Sequence, residues 1–220
     1  NMNYIHGDAG DDIIHVGNTT QSWIEGGSGN DMLYSGNGTT NLTDGSQTTY
    51  LYGGEGNDTY IIEGELLKPI VISDSSSYEY YGKDVVKFSL LKKEDLYINI
   101  SAFKTNDSSL DAYDLYITNE NDFGKYGSYG LRICNFNVSN KCSIDKIVTA
   151  DNYCFDLKDF YFEEIRNWLI KNNFDSTSKV FSEGTKEQIA ELKNILNSAW
   201  KVHYDDIVGS DGDDNIQGTD

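Results

Sequence analysis

The stretch Gly7-Asp8-Ala9-Gly10-Asp11-Asp12-Ile13-Ile14-His15 decides how this chain is read, because its nine-residue pattern returns twice. It realigns with Gly26-Gly27-Ser28-Gly29-Asn30-Asp31-Met32-Leu33-Tyr34 and with Gly53-Gly54-Glu55-Gly56-Asn57-Asp58-Thr59-Tyr60-Ile61, all of the form G-[GD]-x-G-x-D-x-x-x. Inserting one residue, Val16, carries the register through the gaps and places degenerate nonads at Gly17, Ser35 and Asp44. A fixed period outranks any local assignment, since a missed repeat misassigns the whole fold. The eighth position tests the register: it holds Ile14, Ile24, Leu33, Leu42, Leu51 and Tyr60, with Ile5 in the same place before the first. One apolar residue per nine in a polar run predicts a row of side chains stacked into a thin core.

The first half of each nonad is built for a turn. Glycine reaches positive φ without strain and leaves neighbouring carbonyls unobstructed by a Cβ. The last three residues then form a very short strand. Ca2+ is a hard cation that takes six to eight oxygens, and turn carbonyls plus one aspartate per turn supply that donor set from adjacent coils. With two nonads per coil, the turns at Gly7, Gly26 and Asp44 are expected on one edge and those at Gly17, Ser35 and Gly53 on the other. The best-supplied gap then lies between the Gly7 and Gly26 turns, with Asp12 and Asp31 as side-chain ligands. On the second edge the sixth positions are Ser22, Thr40 and Asp58, which predicts weaker or empty sites there unless main-chain oxygens suffice, and fewer ions than turns.

This nonapeptide resembles the haemolysin-type calcium-binding repeat of the RTX (repeats-in-toxin) family. The resemblance is strong over residues 5–61 and returns at Gly209-Ser210-Asp211-Gly212-Asp213-Asp214-Asn215-Ile216-Gln217. It implies a mainly β fold, a parallel β-roll, with Ca2+ as cofactor. The metal-binding positions it implies are Gly7, Ala9, Gly10 and Asp12; Gly26, Gly27, Ser28, Gly29 and Asp31; Gly53, Gly54, Gly56 and Asp58; and Gly209, Asp211, Gly212 and Asp214.

Beyond residue 64 the nonad stops and alternating runs rich in Ile, Val, Leu and Tyr begin, predicting strands over 69–73, 84–88, 96–100, 114–118 and 130–133. Together with Ile144 to Ile147 and Asp151 these resemble the β-rich segment that follows an RTX block and caps its open end, where unpaired strand edges need cover. The usual Asp-Gly is Asp151-Asn152 here. Leu157, Phe160, Phe162, Ile165, Trp168 and Leu169 fall near helical spacing, and Thr185-x-x-Gln188 offers a capping box before Ile189, Leu192, Ile195, Leu196 and Trp200. Two amphipathic helices are expected, joined by a polar loop, their apolar stripes buried against the β segment as the commoner fate, with an aromatic binding face as the alternative. The expected organisation is a β-roll block over 1–64, a capping segment over 65–156, a helical pair or spacer over 157–203, and the start of a further repeat block over 204–220.

Thirty-six acidic against 17 basic residues give a formal net charge of -19. Such a chain repels phosphate backbones and anionic lipid and gathers cations, so nucleic acid is excluded as an expected partner. It also sits near the disordered class unless something neutralises it, and divalent metal is the candidate. No run of 18 apolar residues and no charged-then-apolar leader is visible, and no membrane contact is expected of this stretch. Both ends break off inside the same motif, so the chain is expected to be a piece of a longer protein. The three cysteines, Cys134, Cys142 and Cys154, lack zinc or CxxC spacing and leave open either three thiols or one bridge such as Cys134 to Cys142.

No HExxH, GxSxG or phosphate-binding loop occurs, and the three histidines, His6, His15 and His203, adjoin or end repeats or stand alone. RTX proteins that cleave themselves do so at Asp-Pro, whereas the single proline, Pro69, follows Lys68. The chain is therefore expected to be no enzyme. The resemblance implies a secreted or surface-exposed parent exported by type I secretion machinery: a toxin, an adhesin or surface-layer protein, or a hydrolase with a repeat tail. Tyr78, Tyr80 and Tyr81 suggest a sugar-binding surface, with solvent-facing strand tyrosines as the plainer alternative.

Overall fold

The computed structural model describes residues 2–17, 21–37, 48–73, 82–100, 103, 113–125, 129–134, 144–157, 162–198 and 200–202. In chain order its first strands are β1 (Met2–His6), β2 (Ile13–His15), β3 (Gln21–Ser28), β4 (Met32–Tyr34), β5 (Thr49–Glu55), β6 (Thr59–Ile62), β7 (Pro69–Ile72) and β8 (Asp84–Phe88). After them come β9 (Tyr97–Ile100), β10 (Leu115–Thr118), β11 (Gly130–Ile133), β12 (Ile144–Val148), β13 (Tyr153–Asp156), helices α1 (Phe162–Lys171), α2 (Thr177–Glu183) and α3 (Lys186–Asn197), and β14 (Lys201–Val202). The fold is mainly β. Among the described residues the strands make two seven-stranded sheets, ordered β1-β3-β5-β7-β11-β10-β9 and β14-β13-β12-β8-β6-β4-β2.

Through the first eight strands the chain alternates between the sheets, and each strand pairs in parallel with the one two places on. The eighth-position residues are what this alternation brings together. Ile5, Ile24, Leu51 and Ile72 stand in register across one sheet, and Ile14, Leu33, Tyr60 and Val86 across the other. Ile24, Leu33, Leu51, Tyr60, Ile72 and Val86 are fully buried, Ile14 nearly so, and Ile5 packs half-buried against them. Burying each such side chain contributes on the order of 1.5–3 kcal/mol, which a three-residue strand has no other means of obtaining. Leu42 lies outside the described residues.

The register between turns departs from two nonads per coil. Asp12 is linked to Asp31, 19 residues on, but Asp31 is linked to Asp58, 27 residues on. The Gly53 turn therefore stacks directly on the Gly26 turn, where the sequence pattern predicts the Asp44 turn. The extra nonad is absorbed in the connection between β4 and β5, most of which, Thr40 and Asp44 included, lies outside the described residues. Periodicity alone cannot distinguish a nonad that coils from one that loops out, since both keep the later repeats in phase.

The strands expected in the middle all form, within a residue of the expected ends. Among the described residues three α-helices stand where two are expected. α2 is a two-turn helix whose composition reads as loop; it is held by Thr177, whose N–H donates to the Phe103 carbonyl at 3.0 Å and whose hydroxyl donates to the Ile100 carbonyl at 3.2 Å. The Thr185 capping box forms as expected, Gln188 N–H donating to the Thr185 hydroxyl oxygen at 3.2 Å and Thr185 N–H to Gln188 Oε1 at 2.9 Å. α3 lies against β9, burying Leu192 and Leu196, and the Ile98 N–H donates to Asn197 Oδ1 at 3.1 Å. Cys134 and Cys154 are free thiols, both pushed up in pKa by burial, and Cys142 lies outside the described residues.

Candidate calcium site

The connections β1 to β2, β3 to β4, β5 to β6 and β7 to β8 all fall on one edge of the paired sheets; the first three end in Asp12, Asp31 and Asp58, and the fourth leads into Asp84 at the start of β8. These aspartates form a ladder. The Asp12 N–H donates to Asp31 Oδ1 at 2.9 Å, the Asp31 N–H to Asp58 Oδ1 at 2.8 Å, and the Asp58 N–H to Asp84 Oδ1 at 2.7 Å. One residue earlier a second ladder, this one exposed, runs alongside: Asn30 N–H to Asp11 Oδ1, Asn57 N–H to Asn30 Oδ1 and Lys83 N–H to Asn57 Oδ1, at 2.7, 2.9 and 2.8 Å. The turns are thus fixed in stack by side chains that are themselves repeat positions.

In Asp31, Asp58 and Asp84 Oδ1 is thus engaged, and the Oδ2 atoms are turned inward. Those of Asp12 and Asp31 are buried and accept no hydrogen bond. A buried carboxylate oxygen without a donor carries a cost of several kcal/mol unless a cation meets it. The first glycine of each turn shows where such a cation fits. A Cβ placed on Gly7 would lie 2.5 Å from the Gly26 carbonyl oxygen and 2.6 Å from Asp12 Oδ2; one on Gly26 would lie 2.7 Å from the Gly53 carbonyl oxygen and 2.2 Å from Asp31 Oδ2. Carbonyl and carboxylate oxygens thus converge where a side chain is missing, and the donor set is all oxygen, as Ca2+ requires. Among the described residues no three His, Cys, Asp or Glu side chains group around one point, so most ligands here have to be main-chain carbonyls. Burial pushes the Asp31 carboxyl above its ordinary range, with the charges of Asp12 and Asp11 adding to the shift and the Asp12 N–H opposing it. A divalent cation at Oδ2 reverses that balance.

The fourth-position glycines make the tight bend possible. Gly10, Gly29 and Gly56 have φ of +113°, +138° and +125°, and a Cβ on Gly29 would meet the Gly10 carbonyl oxygen at 2.3 Å. The remaining expected positions of the first two turns join through main chain: Ala9 bridges Ser28, the Gly10 N–H donates to the Ser28 carbonyl at 2.8 Å, and a Cβ on Gly27 would strike the Asp8 carbonyl. Gly54 stands against Gly27 in the same way. Gly53 and Asp58, expected on the poorer edge, stand here as a full third turn. Gly209, Asp211, Gly212 and Asp214 lie outside the described residues.

One part of the stack was not anticipated. Gly82-Lys83-Asp84-Val85-Val86 fits the fourth to eighth nonad positions, with Asp84 in the ladder, a Cβ on Gly82 colliding with the Gly56 carbonyl, and Val86 in the core row. The signal was a half-nonad, hidden because nothing before Gly82 keeps the glycine pattern.

The opposite edge is made differently. There Ser35, Gly36, Glu63 and Lys68 come together: the Gly36 N–H donates to Glu63 Oε2 at 3.1 Å, the Glu63 N–H to the Ser35 hydroxyl oxygen at 3.0 Å, and Lys68 Nζ to the Ser35 carbonyl at 2.7 Å. Ser22, a sixth position on this edge, is fully buried, and its N–H donates to the Thr48 carbonyl at 3.1 Å. His6 and His15 are exposed on strands, His6 beside Glu25 at 3.1 Å and His15 stacked on Tyr34 at 3.8 Å, while His203 lies outside the described residues.

Residues 3–20, 16–42 and 50–61 match the RTX calcium-binding nonapeptide repeat in four copies. The N-terminal region carries RTX repeats, and RTX nonapeptide repeats bind Ca2+. Among curated proteins, none matches the chain.

Proposed function

We propose that this chain is the calcium-binding module of a secreted RTX-type protein, a parallel β-roll that folds when Ca2+ reaches its stacked turns. The observation that supports this reading best is the aspartate ladder of one edge, in which Asp31, Asp58 and Asp84 each use one carboxylate oxygen to hold the preceding coil, while Asp12 and Asp31 turn a buried oxygen toward neighbouring carbonyls. At -19 the metal-free chain repels itself, which suits passage through the narrow channel of a type I export machine. Outside the cell, millimolar Ca2+ neutralises the turns, and binding free energy becomes folding free energy. On this reading the residues from 65 on cap the roll, the module has no catalytic role of its own, and the parent is a toxin.

The test is direct. Far-UV circular dichroism of the isolated chain should gain β signal on adding Ca2+ and lose it with EGTA; equal spectra would count against the proposal. Asp12→Ala combined with Asp31→Ala should lower the calorimetric Ca2+ count by at least one ion, whereas Thr40→Ala should leave it unchanged.

An adhesin parent has one observation in its favour. Tyr4, Trp23 and Tyr50 form a row of neighbouring rings across the outer face of the first sheet, 6.4 and 5.5 Å between centroids. A glycan array on the calcium-loaded chain separates the two, since binding there would favour the adhesin; Tyr78, Tyr80 and Tyr81 lie outside the described residues.

A further inference from the structure

The repeat match includes residues 16–42, which contribute to the edge opposite the aspartate ladder, so metal would be expected on both edges. The second edge, however, already contains a cation. Lys68 ends the connection between β6 and β7 and is only 4% exposed, rare for a lysine. Its side chain reaches back one coil to place Nζ 2.7 Å from the Ser35 carbonyl oxygen. A Cβ on neighbouring Gly36 would lie 2.8 Å from the Val16 carbonyl oxygen, 3.3 Å from that of Gly17 and 3.5 Å from Lys68 Nζ, so carbonyls of the preceding coil turn toward the same spot. Glu63 supplies a carboxylate on the same connection as Lys68, held by the Gly36 N–H. Main-chain carbonyls from stacked turns with one acidic side chain at hand are the donor classes found on the first edge. Here a tethered ammonium meets them.

We propose that the Lys68 ammonium is the resident cation of the second edge, occupying the space between coils that Ca2+ takes on the first edge and excluding the metal from it. The charge persists at neutral pH: burial lowers the Lys68 pKa to about 8, with Glu63 opposing the shift, which leaves the amine mostly protonated at pH 7. A buried positive charge repels a divalent cation strongly at such range. The device makes the second edge independent of calcium, so that metal fills the module from one side.

This inference rests on the calcium-roll reading, and the two fail differently. Lys68→Glu exchanges the ammonium for a second carboxylate beside Glu63, and calorimetric titration with Ca2+ should then count one more ion than in the wild type. In the calcium-loaded wild type, the Lys68 amine should be acetylated at least about tenfold more slowly than that of exposed Lys87, because it reacts only through local opening. An unchanged ion count in a folded Lys68→Glu variant overturns the Lys68 proposal alone. So does acetylation of Lys68 as fast as Lys87, a measurement that stands even if the variant fails to fold. A wild-type chain that takes no Ca2+ at all overturns both readings.

Discussion

Gly26 has no room for a side chain, and the atoms that would meet one are the oxygens of Asp31 and Gly53. Gly26→Ala should therefore weaken Ca2+ binding in its gap by at least about tenfold, or roughly 1.4 kcal/mol, with loss of about one ion at subsaturating metal. Gly17→Ala provides the control, because nothing lies within 4 Å of its Cβ position, and the same titration should be unaltered. Lys68 makes a prediction of a different kind. Its pKa is lowered from an ordinary 10.5 to about 8, so between those values the unfolded chain holds more protons than the folded one. Stability then rises with pH across that window, by up to about 3 kcal/mol at roughly 1.4 kcal/mol per unit. Urea midpoints at saturating Ca2+ from pH 7 to 10 should show this rise, and Lys68→Met should flatten it.

At the scale of elements, the strands of the repeat were legible because a single position, the eighth, is both apolar and buried at Ile24, Leu33, Leu51 and Tyr60. A core one residue wide leaves no freedom in register. The strands of the middle segment were legible by their alternation, and α3 by its capping box. What escaped was anything decided by contacts across the sheets. The Gly53 turn keeps its own chemistry whether it falls on one edge or the other, and only the number of residues between β4 and β5 places it on the edge of Asp12 and Asp31. α2 owes its helix to Thr177 bonding to the carbonyls of Phe103 and Ile100, partners some 75 residues away in sequence that no local propensity reports. Thr185→Ala removes the side-chain oxygen that meets the Gln188 N–H and should destabilise α3 by about 1 kcal/mol. The calcium-loaded chain should show that as a lowered thermal midpoint, with an unchanged ion count, since α3 packs on β9 and not on the turns.

Over the whole molecule, one hydrophobic core runs from the rows of the repeat strands through the middle strands to the helices, joining Ile14 to Trp200. β8 carries Asp84 at its start and pairs both with β6 of the repeat and with β12 of the flank. The final rung of the ladder is thereby built on a strand whose other neighbour, β12, lies outside the repeat. The buried ladder also has a sense, each amide donating to the carboxylate one coil nearer the C-terminus, while the exposed ladder beside it runs the opposite way. Asp84→Asn should consequently weaken Ca2+ uptake at every gap of the edge and lower the Hill coefficient, while Asp12→Asn, at the opposite end, should subtract one ion and leave the others as they were. Titrations of the two variants side by side distinguish these outcomes. Two rails of opposite polarity hold the same rungs, and a stack so bound resists slipping in either direction: the Gly7 coil, seated on the Gly26 turn, is expected to peel away whole when metal is withdrawn and not to slide out of register.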